Sequence, residues 1–259
     1  MADKIFDINN FVIDRVVRGV ALSQKDDSVL FSINQIQNAS LNCASESKDA
    51  VDAMGTPIAT FYRAKSAEFS AENALFDMNL MATQLGTEKK VASASSKILA
   101  PAMETFTAKG GTYELKHTPK TAPTEIYALN GDSTFGVKYT KATQASASAF
   151  SVADKTITLP TGLAADTEMF VMYEYETENA VQVVNSATKY PVGCKFVMEV
   201  LGCDVCDQTN LVYAYVIFNN AKLSPDFDWS IATDGTHPFS MKAQQDYCDK
   251  EKRLELFAA

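Results

Sequence analysis

K-F-V-M-E-V-L at Lys195–Leu201 and L-V-Y-A-Y-V-I-F at Leu211–Phe218 are the two strongest strand signals in the chain. They read as an antiparallel hairpin joined by a cysteine-bearing turn, and their apolar density predicts burial on both faces. The second of them is also the longest uninterrupted apolar run. It is far short of the roughly 18 residues of a membrane span, so no part is expected to cross a bilayer.

The same period-two logic extends outward. In Glu168–Thr177, Val171, Tyr173 and Tyr175 fall on one side and Phe170, Met172 and Glu174 on the other. Shorter strand candidates precede it at Thr112–His117, Thr124–Leu129, Gly136–Thr140 and Lys155–Leu159, separated by turns such as Asn130-Gly131 and Pro160 to Gly162. This stretch is rich in Thr, Ala and Ser and carries no helix signal, so 112–189 reads as a small β domain. Towards the N-terminus, Val29–Ile36 and Pro57–Tyr62 are strand-like, and the Ser-, Asn- and Asp-rich stretch between them reads as a long polar loop over Asn38–Met54. Ser70 as N-cap, then Leu75, Met78, Met81, Ala82 and Leu85 at helical spacing, then Gly86, bracket one amphipathic helix. Its methionines belong to core packing rather than to a cofactor box. Phe227, Trp229 and Ile231 alternate with polar residues as a last strand, and the charged tail Gln244–Leu254 reads as either strand or short helix. The fold class is mainly β, with one flanking helix.

Composition narrows the function. The chain has 259 residues, 46% hydrophobic and 21% charged, which is the ordinary globular range, with 23 Lys+Arg against 32 Asp+Glu for a net charge of −9. An acidic protein without a basic stripe is a poor duplex gripper. The first ten residues carry two aspartates and no apolar core, so a secretory signal is not expected. Only His117 and His237 are available for His-dependent catalysis, and no phosphate loop, dinucleotide turn or nucleophile elbow appears. The expectation is no enzyme, no catalytic residues, no metal and no cofactor. Five cysteines, Cys43, Cys194, Cys203, Cys206 and Cys248, are an odd number for a disulfide framework. Cys203-Asp204-Val205-Cys206 is half a zinc site that lacks its second pair; the leading reading is small turn and core residues, with disulfides between assembled subunits as an alternative.

Several stretches resemble tail tube proteins of tailed bacteriophages: V-D-A-M-G-T-P-I-A-T-F-Y-R-A-K (Val51–Lys65), E-N-A-L (Glu72–Leu75), Q-L-G (Gln84–Gly86), N-A-K-L-S-P-D-F-D-W-S-I (Asn220–Ile231) and T-H-P-F-S-M-K-A (Thr236–Ala243). The resemblance implies a β-sandwich or barrel subunit with one flanking helix, built from 1–111 and 190–259, with 112–189 as an inserted domain. It implies assembly into stacked hexameric rings, a negatively charged lumen through which DNA passes without specific binding, and a place in the virion tail after synthesis in the host bacterial cytoplasm. The implied partners are further copies of the chain and sheath, terminator and baseplate proteins. It also gives the segment around Asn38–Met54 a part in docking one ring on the next. Two other readings stand beside it: a capsid-associated or decoration protein, and a host-surface or carbohydrate-binding module built on Tyr173 and Tyr175.

Overall fold

A computed structural model describes residues 10–245 and the short strand 256–258. In chain order the first strands are β1 (Phe11–Ser23), β2 (Val29–Ile33), β3 (Ile36–Val51) and β4 (Pro57–Asn73), followed by the helix α1 (Met78–Gln84). Then come β5 (Lys90–Val91), β6 (Ile98–Thr107), β7 (Thr112–Glu114), β8 (Glu125–Leu129) and β9 (Phe135–Lys141). After them lie β10 (Ala149–Ala153), β11 (Thr156–Thr158), β12 (Glu168–Thr177) and β13 (Val181–Gln182). The last are β14 (Gly193–Asp204), β15 (Asp207–Leu223), β16 (His237–Ala243) and β17 (Leu256–Ala258). The fold is mainly β, with one helix among the described residues. Two compact units result, one from 1–89 with 183–259 and the other from 90–182.

In the first unit the order is β2-β1-β14-β15-β16-β4-β3, with β17 also on β15. The hairpin read from Lys195–Leu201 and Leu211–Phe218 is β14–β15, pairing from Gly193↔Lys222 to Asp204↔Asp207. Burial on both faces is corrected. Phe196, Met198 and Val200 are buried, while Lys195, Val197 and Glu199 between them are only half-buried. The buried face joins Ala21, Phe31, Phe69, Phe218 and Phe239 in one core, onto which the helix adds Leu80.

Two further expectations are corrected here. The stretch 38–54 is no loop: all but its last three residues belong to β3, paired with β4. The helix begins at Met78 rather than after Ser70, because pairing with both β3 and β16 commits Glu68–Asn73 to strand, where Phe69, Ala71 and Asn73 alternate inward. Asp77 is the cap. Its Oδ1 accepts from the Asn79 N–H at 2.9 Å and the Leu80 N–H at 2.7 Å, and Leu75 lies outside the helix and exposed. Gly86 closes α1 at φ +66°, and a Cβ there would stand 2.2 Å from the Tyr190 carbonyl. Gly86→Ala combines a left-handed alanine with a backbone clash, so it is expected to cost about 2–4 kcal/mol, read as a lowered thermal midpoint. Phe227–Ile231 is irregular rather than a strand: Trp229 stacks on Phe76 at 4.0 Å and finds no ladder partner.

The second unit is a sheet of order β6-β12-β8-β9-β10-β11-β7, antiparallel except for β9 beside β10. Its boundary lies near Lys90 because β6 pairs along its whole length with β12, from Ile98↔Thr177 to Thr107↔Glu168. Its core is Phe106, Leu115, Ile126, Phe150, Met169, Val171 and Tyr173. Within this core sits the buried Glu104, which accepts hydrogen bonds from the Tyr113 hydroxyl at 2.7 Å, the Lys116 N–H at 3.0 Å and the Tyr173 hydroxyl. Burial alone raises a carboxyl pKa, yet these donors together outweigh it and hold Glu104 below its ordinary value. Burial, and then its hydrogen bond to the Glu104 carboxylate, push Tyr113 up to about 12. A depressed folded pKa means stability that is present above the unfolded value and lost as pH falls through the folded one. Glu104→Gln is therefore expected to destabilise the unit by about 1–3 kcal/mol at neutral pH and to flatten its acid-unfolding profile, measured by circular dichroism across an acid titration.

Candidate functional site: a bare hairpin arm

Strands β3 and β4 behave differently along their length. Near the core, Glu68–Asn73 of β4 lies between β3 and β16 and buries Phe69, Ala71 and Asn73. Beyond Ala67 the ladder to β16 ends, and β4 pairs with β3 alone out to Val51↔Pro57. Every residue from Pro57 to Ser66 and from Asn42 to Val51 is exposed. At about 3.4 Å per residue this two-stranded arm extends roughly 30 Å.

Local chemistry makes the arm well formed. At its tip Asp52 Oδ1 accepts from the Met54 and Thr56 N–H groups, each at 2.8 Å, and Gly55 takes φ +84° to close the turn. The Thr56 and Met54 amides hold the Asp52 carboxyl below its ordinary pKa. Across the ladder the Thr60 hydroxyl donates to Asp49 Oδ1 at 2.7 Å. A bulge at Ala64, with φ +47°, twists the arm where the register shifts between Ser45 and Glu46.

The arm also carries large apolar side chains that nothing among the described residues covers: Met54 is 91% exposed, Tyr62 72% and Ile58 71%, with Phe61 and Val51 also exposed. An isolated two-stranded ribbon is marginal in water, and bare apolar side chains on it cost further solvation. Among the described residues the outer edge of β3 is unpaired, as is that of β2 at the other end of the sheet.

The residues singled out from sequence are dispersed. Cys43 is exposed on β3, Cys194 is buried in the core, Cys203 is half-buried and Cys206 sits exposed at the β14–β15 turn, all four as free thiols; Cys248 lies outside the described residues, as does most of the tail Gln244–Leu254. Burial pushes the Cys194 thiol up to about 11, which makes it inert. His237 is buried, with Nε2 2.8 Å from Gln84 Oε1, and burial lowers its pKa against the opposing charge of Asp77. It ties β16 to α1. His117 stacks on Tyr175 at 3.8 Å. No group of three or more His, Cys, Asp or Glu among the described residues is placed to hold a metal ion, and no described helix is long and apolar enough to cross a membrane. The platform on Tyr173 and Tyr175 is corrected: Tyr173 is 4% exposed and engages Glu104.

A mainly β chain with a bare pairing arm, and with a sheet open at both edges among the described residues, has the features of a structural assembly subunit. Residues 11–252 match the YomU/Tube protein family, and the chain belongs to that family. It is thus a structural protein of the phage tail tube, a virion tail component rather than a member of a known enzyme class. Among curated proteins none matches it.

Proposed function

We propose that the chain is the tail tube subunit that closes into six-membered rings, and that the β3–β4 arm of each subunit docks on the next ring in the stack. The bare apolar arm carries this reading, because nothing among the described residues covers Ile58, Phe61 and Tyr62 and a neighbouring copy would. A second copy is always at hand in a homopolymer. The net charge of −9 per chain supports a lumen wall that repels a sliding duplex rather than trapping it. In this reading the second unit, expected over 112–189 from sequence and compact over 90–182, decorates the tube wall. Sheath, terminator and baseplate proteins are further partners, and the chain is made in the host bacterial cytoplasm before incorporation.

Negative-stain electron microscopy of the purified chain across a concentration series tests it. The expected result is rings or tubes of constant diameter with a central hole. Monomers or trimers at every concentration, with or without an added tail initiator complex, would overturn the ring reading in favour of a decoration protein.

A further inference from the structure

The sheet of the second unit has one face on its own core and one face open to solvent. Across the open face, Phe170 pairs with Tyr127 on β8, and Met172 with Met103 on β6. Together with Phe135 of β9 they form the floor of a groove of about 500 Å³. Phe135 is 59% exposed, yet its ring is held 4.9 Å from Tyr127 and 5.1 Å from Phe170. At the rim Glu125 accepts from the Tyr127 hydroxyl at 2.6 Å and from Lys138 Nζ at 3.0 Å.

We propose that this groove binds a neutral oligosaccharide of hexose or N-acetylhexosamine units. The reasoning is one of complementarity. The floor offers ring faces and thioethers, which suit the C–H face of a pyranose; the rim offers a fixed acceptor and a fixed donor, which suit its hydroxyls. The rim charges pair with each other, so a ligand of net charge has no counterpart there while a neutral polyol has two partners. The volume falls in the range of small-ligand sites, about 300–1,000 Å³. The groove lies on the side of β12 opposite Tyr173, whose hydroxyl is committed to Glu104.

The proposal is independent of ring assembly and is tested on the full chain by saturation-transfer NMR. Maltotriose, cellotriose and triacetylchitotriose serve as probes, each titrated to about 10 mM so that millimolar affinity registers. At least one probe is expected to bind. Phe135→Ala, an exposed position, is expected to weaken it at least about tenfold, and Glu125→Gln to weaken it several-fold, with Tyr175→Phe unchanged. Absence of binding by all three probes overturns the proposal, and so does binding that Phe135→Ala leaves intact. If Phe135→Ala instead alters the oligomeric state while no probe binds, the face is a protein contact and the glycan assignment fails.

Discussion

Replacing Ile58 and Tyr62 together by lysine is expected to leave the thermal midpoint of the chain unchanged and to abolish growth of rings into tubes. The two residues share one side of β4, where alternation places them two strand repeats apart, and they are 71% and 72% exposed. Neither belongs to the core that sets stability, so the fold loses nothing when they change. The assembly loses much more. Aromatic and aliphatic anchors of an interface each contribute on the order of 2 kcal/mol, and a buried lysine adds a desolvation cost to the lost contact. Even one such anchor weakens each contact by about 30-fold, and a stack repeats the contact around every ring. Sedimentation velocity and electron microscopy at matched concentration report both quantities. Tubes of normal length from the doubly substituted chain would show that the arm is not the stacking element; a fallen midpoint would show that it packs on its own subunit.

The arm explains why its strand was hard to read. Ile36–Val51 is polar almost throughout, and polarity between two apolar stretches reads as a loop, but here it reflects a strand that meets the core only through Ile36 and Leu41. β1 is hidden for another reason: bulges between Ile13 and Arg15 and between Val16 and Arg18 break its alternation. β6 contains Pro101, which argues against a strand unless the strand lies at an edge, and β6 is the edge of its sheet. By contrast Glu168–Thr177 is legible residue for residue, because Met169, Val171 and Tyr173 are buried on one face and its alternation is unbroken. Of the candidate site residues, Tyr173 misleads, since period two separates faces without saying which one is wet. Glu104 gives no signal at all: its three donors come from β7, the stretch after it and β12, and only the fold brings them together.

Phe196→Ala is expected to have the largest effect on stability of any single truncation in the first unit. Phe196 is fully buried on β14, and its ring lies 5.6 Å from Phe69, 6.3 Å from Phe31 and Phe218 and 6.4 Å from Phe239. Those four rings stand on β4, β2, β15 and β16, so one side chain links strands drawn from both ends of the sequence. The strand neighbours cannot close over the gap, because their Cα positions are fixed by the ladders of β14 with β1 and β15. A cavity that cannot collapse carries the full large-to-small cost, about 3–5 kcal/mol, plus the lost ring–ring contacts. The same truncation at Phe61 on the arm removes as many atoms and is expected to change the folding free energy by less than about 0.5 kcal/mol. Urea unfolding of both variants separates the two roles of phenylalanine in this chain. A Phe196→Ala cost near that of Phe61→Ala would mean that the core is held by the backbone ladders rather than by its aromatic cluster.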